Sequence, residues 1–402
     1  MSKRRVFIYN YKYIEINPHL QNNQWRKEQV MQYRNFGTTG VKVSALGYGC
    51  MRLPLLDSKN GKSIDEKEAI SMIRSAIDAG LNYVDTAYPY HDGESEILVG
   101  KALQDGYREK VYLATKLPMW LVHQTEDFDR YLDEQLEKLD TDHIDMYMLH
   151  AMDKGRYQDM CTYRLTEKLN EAKAAGKIRY AGFSFHDDAE TFRTIIDSYN
   201  WDFCQIQMNY IDVNNQATLK GMEYAASKGI AVIIMEPLLG GKLANPPKQV
   251  AKVLSEDKTP VEWALDFLWN RPEVSLILSG MSSMPQTMDN LLYADRSSVG
   301  MLSAEELEMF ARAKEIYDTK AIVPCTKCRY CMPCPFGLDI PELFESYNRT
   351  ATQGMKEAYA MYSAMEKKAD ACRKCHHCEK ECPQHIRISE VMEELAGVFA
   401  DM

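Results

Sequence analysis

The sequence predicts an α/β protein: a (β/α)8 barrel followed by a small, cysteine-rich C-terminal domain. Three observations predict it. Eight short apolar runs alternate with amphipathic helical stretches from Ser44 to Leu291, the pattern of parallel strands joined by right-handed crossovers. The glycine signature of the competing fold, a doubly wound open sheet, is missing: LGYGCMR after the first run offers only Gly47 and Gly49. Eight of the eleven cysteines fall within 325–335 and 372–383, beyond the alternation. A chain of 402 residues has room for both parts, since such a barrel fills about 250 residues.

Taken in order, residues 1–30 start basic, then carry Glu15, Asn17 and Pro18, with no apolar stretch long enough for a secretion signal. They read as a poorly ordered extension or a short arm on the barrel, with Met31 as an alternative start. The barrel is assigned to residues 31–320. Its runs are SALGYG (44–49), NYVDT (82–86), VYLATK (111–116), IDMYMLH (144–150), IRYAGFS (178–184), FCQIQMN (203–209), AVIIME (231–236) and VSLILS (274–279). Between them, EKEAISMIRSAIDAG and FDRYLDEQLEKLD repeat apolar residues at spacings of three and four, the helical period. Thr259, Pro260 and Glu262 form a helix start with a capping box, and Ser303 with Glu306 forms another. A second domain follows at 321–402. Helical stretches at PELFESYNR and MKEAYAMYSAMEKKA separate its cysteine blocks, and its core is expected to be inorganic.

The overall chemistry is that of a globular enzyme-sized chain, with 45% hydrophobic and 26% charged residues. A formal net charge of -10 repels phosphate polymers and anionic membrane surfaces, so nucleic acid is not expected as a partner. No window of about 18 apolar residues supports a membrane span. The chain is expected to be cytoplasmic, where thiols stay reduced and cysteines serve metals rather than disulfides.

The second block, Cys372-x2-Cys375-x2-Cys378-x3-Cys382-Pro383, matches the run of two-cluster ferredoxins, in which three cysteines bind one [4Fe-4S] cluster and the fourth reaches the other. The first, Cys325-x2-Cys328-x2-Cys331-x2-Cys334-Pro335, is one residue shorter before its last cysteine. Two zinc sites are the alternative, but zinc ribbons use separated C-x-x-C pairs rather than three evenly stepped cysteines before Cys-Pro. The assignment is therefore Cys325, Cys328, Cys331 and Cys382 for one cluster, and Cys372, Cys375, Cys378 and Cys334 for the other. His376 and His377 read as exposed loop residues, and Cys161 and Cys204 as packing.

Barrel active sites gather at the C-terminal strand ends. Asp85 ends the second run, Tyr90 follows it, Lys116 ends the third and His150 the fourth. Alone, each has an ordinary reading as a cap, a loop aromatic or a surface charge. Together they place an acid, a phenol, an amine and an imidazole at consecutive strand ends. Over about residues 33 to 320 the sequence resembles the aldo/keto reductase family, most specifically in RNFGTTGVKVSALGYGCMRL and DTAYPYHDGESEILVG. With the cysteine blocks it is similar to the subgroup carrying a C-terminal ferredoxin-type domain.

The resemblance implies a nicotinamide cofactor, NAD(H) or NADP(H), and a catalytic tetrad of Asp85, Tyr90, Lys116 and His150. Tyr90 is the implied general acid/base. Lys116 is expected to lower its pKa, with Asp85 holding the ammonium and His150 orienting a carbonyl oxygen. The implied cofactor contacts are Gly49, Cys50, Met51 and Arg52; Ser184 and Gln205; Pro237, Leu238, Gly240, Gly241 and Lys242; and Ser279, Gly280, Met281, Gln286 and Asn290. Gly280 and Gln286 stand where many members bind the NADPH phosphate with Lys and Arg, which implies little selection for NADPH. Met235 stands where many members stack an aromatic side chain and Phe185 where many have an amide.

The expected activity is interconversion of a small-molecule carbonyl and alcohol, coupled to one-electron transfer through two [4Fe-4S] clusters. Hydride moves two electrons and a cluster one, so a flavin, a radical-stabilising substrate or a ferredoxin or flavoprotein partner would have to join them. No motif indicates a flavin. The competing readings keep the clusters structural, or make the barrel a scaffold for an electron carrier.

Overall fold

The computed structural model describes residues 31–57, 60–318 and 323–400. The extension 1–30 and the boundary drawn at 320/321 lie outside the described residues. The described residues open on an antiparallel hairpin that the apolar pattern does not reveal, β1 (Tyr33–Asn35) paired with β2 (Lys42–Ser44). Strands of three residues are too short to show alternation. The connecting turn carries Phe36, which is fully buried against Phe203 and Tyr83, with ring centroids 5.4 and 6.3 Å away. Both partners start barrel strands, so Phe36 closes the N-terminal end of the barrel.

Each of the eight predicted runs is a barrel strand: β3 (Leu46–Gly49), β4 (Tyr83–Asp85), β5 (Tyr112–Leu117), β6 (Ile144–Met152), β7 (Ile178–Phe185), β8 (Phe203–Gln207), β9 (Ala231–Met235) and β10 (Val274–Ser279). All pair in parallel in chain order, and β10 returns to β3 to close the sheet. Closure leaves no free edge. Side chains alternate between the two faces. Tyr83, Ala114, Met146, Met148, Phe203, Ile233 and Leu276 form the inner core with Phe36, whereas Val84, Leu113, Tyr147, Cys204 and Ile234 pack outward against the helices. Where the interior is tightest only glycine fits. A Cβ on Gly182 would lie 2.6 Å from the Phe203 ring.

The helices form where amphipathic pattern and caps agree. Helix Glu66–Asp78 is capped by Asp65, which accepts from the Glu68 N–H, and it buries Ala69, Met72, Ile73, Ala76 and Ile77. The helix Pro260–Trp269 has the predicted Thr259/Glu262 capping box. Ser303 and Glu306 exchange the corresponding bonds at 2.8 and 3.2 Å.

Beyond the barrel, helices Ile340–Thr352, Met355–Ser363 and Ile388–Val398 build a second core. Leu343, Phe344, Tyr362, Met392, Leu395 and Phe399 are buried in it, with most of the eight cysteines packed along its edge. The expectation of a purely inorganic core is corrected accordingly. The helix read across MKEAYAMYSAMEKKA stops at Ser363, where Lys368 turns back and donates to the carbonyls of Tyr362, Ser363 and Met365. Cys204 is buried, but Cys161 is exposed and does not pack. No helix among the described residues is long and apolar enough to cross a membrane.

Candidate active site

Several strands end their inward face in a polar residue, and these carry the site. Two residues beyond inward Tyr83, Ala114, Met148 and Phe203 stand Asp85, Lys116, His150 and Gln205, so strand periodicity points all four into the top layer of the barrel. Lys116 is fully buried beneath that layer, donating to Asp85 Oδ1 at 2.7 Å and to the Thr86 carbonyl at 2.7 Å. Its ammonium lies 4.9 Å from the Tyr90 ring centroid. Tyr90 opens the short turn Tyr90–Gly93, where His91 and Asp92 both adopt positive φ, 54° and 53°. The turn is tied down by His91, which accepts from the Leu53 N–H at 3.1 Å and bonds the Gly61 carbonyl through Nδ1 at 3.1 Å. Behind the strand ends, Glu96 accepts from Thr115 and Gln135 at 2.6 Å each, and Gln135 donates to the Lys116 carbonyl at 3.0 Å.

The electrostatics follow from burial. Desolvation, with Asp85 adding to it, holds the Tyr90 phenol well above its ordinary pKa. The expectation that Lys116 lowers it is corrected. The ammonium is neutralised by Asp85 at contact distance, and desolvation outweighs what remains. Desolvation also raises Asp85 against the pull of Lys116. His150 is held well below its ordinary value by burial, then by the Lys116 charge, so it is a neutral imidazole near pH 7.

A cleft of about 430 Å³ runs from this group across the strand ends. Of the implied cofactor contacts, Gly49, Met51, Arg52, Ser184, Gln205, Pro237, Leu238, Gly240, Gly241, Ser279, Gly280, Met281, Gln286 and Asn290 line it. Asn290 donates to Ser279 Oγ at 2.9 Å, Ser184 Oγ accepts from the Ala151 N–H at 2.7 Å, and Gln286 accepts from the Ser282 N–H at 2.9 Å. Two expected contacts lie elsewhere. The Cys50 thiol is buried against the Tyr48 carbonyl, and Lys242 is enclosed near Cys325, Glu345 and Asp212. Phe185 packs outward on Phe192 at 5.0 Å, and Met235 lines the cleft and accepts from Gln205 through sulfur at 3.5 Å.

Some site residues escaped the sequence reading. Glu236, one position past β9, lines the cleft at φ 56°, and burial raises its carboxyl against the pull of Arg52. The strand-end criterion that found Asp85 applies equally to it. Tyr330, His186 and Trp120 carried no signal. The Tyr330 hydroxyl lies 3.3 Å from His150 Nε2 and faces the Tyr90 hydroxyl. Which of the two donates follows the His150 tautomer, and His150 Nδ1 has no partner among the described residues.

Tyr330 comes from the cysteine-rich domain, which roofs the mouth. Gln384 and Gln207 bond each other at 2.8 Å, Gln216 donates to the Pro383 carbonyl at 3.0 Å, and Arg52 donates to the Thr326 carbonyl at 3.2 Å. Gly240 is required here: at φ 66°, any Cβ would sit 2.2 Å from the Thr326 oxygen.

The cysteines gather in the two expected sets. Cys325, Cys328, Cys331 and Cys382 line one small cavity with Ile340 and Phe344. Cys334, Cys372, Cys375 and Cys378 line another with Leu338 and Met392. Among the described residues, no three His, Cys, Asp or Glu side chains converge closely enough to hold a single metal ion. Lys327, Arg329, Lys374 and His376 all take positive φ, and the Lys327 N–H donates to Cys325 Sγ at 3.4 Å. His376 is exposed and bonds Glu379 at 2.8 Å. Burial pushes Cys328 up to about 12 and Cys378 up to about 11, so neither ionises near neutrality without a bound cation. The donor set, eight thiols with a backbone N–H donor to sulfur and an apolar wall, suits iron-sulfur chemistry.

Comparison with known proteins agrees with this geometry. Residues 45–314 match the aldo/keto reductase family and residues 324–386 match a 4Fe-4S dicluster domain. The chain is similar to an L-galactose dehydrogenase of Arabidopsis thaliana, 29% identical over 67% of this chain and 91% of the relative. It is also similar to the uncharacterized oxidoreductase YqkF of Bacillus subtilis, 26% identical over 66% and 92%. Among solved structures, the holo form of the aldo-keto reductase AKR11C1 from Bacillus halodurans superposes with a TM-score of 0.61 at 26% identity, over 71% of this chain and 96% of that one. An aldo/keto reductase from Klebsiella pneumoniae in complex with NADP and acetate shares the fold, with a TM-score of 0.57 at 24% identity over 70% and 95%. The chain belongs to the aldo/keto reductase family of oxidoreductases and joins that barrel to a C-terminal 4Fe-4S ferredoxin-type domain.

Proposed function

We propose that the protein interconverts a small-molecule carbonyl and its alcohol with a nicotinamide cofactor, using Tyr90 as general acid/base. The observation that carries this reading is the convergence of a neutral phenol, a neutral imidazole and a buried ammonium-carboxylate pair on one end of a cleft lined by Ser279, Asn290 and Arg52. The nicotinamide, when bound, supplies the hydride. Tyr90, held protonated by burial, gives its proton to the developing alkoxide, and His150 donates from Nε2 to the same oxygen. Lys116 and Asp85 position the Tyr90 ring from below. Arg52 is the cation among the cleft residues and faces Glu236, which disfavours the additional 2′-phosphate and supports NADH over NADPH. Arg271 does not line the cleft and packs on Phe267, 5.1 Å from its ring.

Each cysteine quartet is assigned one [4Fe-4S] cluster, which supplies one-electron chemistry when present. Cys328 borders both its quartet's cavity and the cleft, and this supports a redox rather than a purely structural role. A ferredoxin or flavoprotein is the matching partner class, and the cytoplasm the matching compartment. The test is anaerobic cofactor depletion with NADH and NADPH across a carbonyl panel, on protein reconstituted to about eight irons per chain. No turnover of any carbonyl with either nucleotide would overturn the reading.

A further inference from the structure

Tyr330 has no part in the chemistry just proposed, yet it sits among the reacting groups. It lies between Cys328 and Cys331, follows Arg329 at φ 65°, and meets the His150 ring edge-on with centroids 6.2 Å apart. Its hydroxyl is 3.3 Å from His150 Nε2, and it lines the same two cavities as Tyr90. A carbonyl that takes its proton from Tyr90 must bring its oxygen within hydrogen-bond reach of that same hydroxyl. The place is already filled by an oxygen of this chain.

Tyr330 also divides the mouth. The cofactor cleft lies on one side, and on the other a cavity of about 700 Å³ is bounded by Trp120, Arg156, Met332 and Lys380. Tyr90 and Tyr330 border both. Trp120 is tilted against His150, ring centroids 5.1 Å apart, and gives the larger cavity an aromatic wall next to the reacting position.

We propose that Tyr330 is the specificity-determining residue of the barrel: its hydroxyl holds the carbonyl-oxygen position, and only a substrate whose remaining bulk fills the larger cavity displaces it. A small aldehyde brings hydrogen bonds no better than those it must break. An aromatic carbonyl adds contact with Trp120 and Met332, and prevails. The cluster thiols on either side of Tyr330 anchor its loop, which is how the C-terminal domain acts on barrel specificity. This rests on the carbonyl-reduction reading.

The test uses iron-loaded full-length protein and its Tyr330→Ala and Tyr330→Phe variants. Acetate, which presents an oxygen to the Tyr90 and His150 position without turnover, is titrated by calorimetry, and propionaldehyde is compared with benzaldehyde by kcat/KM. Tyr330→Ala should bind acetate on the order of tenfold tighter, because the Tyr330 hydroxyl no longer competes for the His150 position. Tyr330→Phe should show a smaller gain. The benzaldehyde-to-propionaldehyde preference should narrow in both, with iron content and NADH affinity unchanged. Should alanine disturb the cluster loop, the phenylalanine variant decides. Unchanged or weaker acetate binding with iron retained would overturn the proposal, whatever the turnover. Tighter acetate binding without turnover of any carbonyl would uphold the displacement and count against the carbonyl reading alone.

Discussion

Replacing Lys116 by methionine isolates what the buried ion pair does. Lys116 is 0% exposed and Asp85 2% exposed; Asp85 Oδ1 is bonded at 2.7 Å to the ammonium, while Oδ2 has no partner among the described residues. Lys116→Met leaves a desolvated carboxylate, at a cost of about 3–5 kcal/mol, a large share of a typical stability of about 5–15 kcal/mol. At a urea m-value of about 3 kcal/mol/M, the midpoint drops by about 1 M or more. The loss must depend on pH. Burial already raises the Asp85 pKa with the lysine present, and removing the cation raises it further. Between the unfolded value of about 4 and that raised value, the folded state binds the extra proton, so stability falls as pH rises. Equilibrium urea unfolding at about pH 5 and about pH 8 measures this. The double variant Asp85→Leu/Lys116→Met removes both charges and should recover to within about 1 kcal/mol of wild type. A Lys116→Met protein within about 1 kcal/mol of wild type, a loss equal at both pH values, or a double variant as unstable as the two singles summed would refute the reasoning.

The other predictions are simpler to read. Tyr90→Phe should abolish carbonyl reduction and leave nicotinamide affinity nearly unchanged, since only the proton donor is lost; comparable turnover in the variant would remove Tyr90 from its role. The ratio of dissociation constants should be even or favour NADH, and Gly280→Lys/Gln286→Arg should shift it toward NADPH; a strong NADPH preference in the wild type contradicts the reading of the cleft charges. NADH alone, in flavin-free protein under anaerobic conditions, should leave the cluster absorbance unbleached, because hydride carries two electrons and a cluster accepts one; rapid bleaching disproves it. His150 and His186 are buried neutral, and burial pushes His186 down to about 3. The unfolded chain protonates each below about pH 6.5, so folded stability should fall as pH drops from there toward about 3, by about 1.4 kcal/mol per unit per histidine. His186→Asn should remove its share of that slope, and an unchanged slope would show that His186 is protonated in the folded state.

Much of this protein was legible in the residues because its information is local. Eight apolar runs with helical spacers between them require parallel strands and crossovers, and period-two alternation then aims Asp85, Lys116, His150 and Gln205 inward without further assumption. Thr259 and Glu262, or Ser303 and Glu306, form their caps from residues three apart. The stepped C-x-x-C-x-x-C spacing gathers three sulfurs locally, and the ferredoxin-type run assigns the fourth of each block to the other set. What depends on distant surfaces meeting was not legible. The hairpin that closes the barrel floor is too short to alternate, and Phe36 has meaning only beside Phe203. The direction of the Tyr90 shift depends on how completely the phenol is desolvated and on Asp85 cancelling the neighbouring ammonium. Lys242 looked like a cleft cation until the cysteine loop was packed over it. Tyr330, 240 residues along the chain from Tyr90, reaches the reacting position only because one domain roofs the other, and no spacing in the chain encodes that contact.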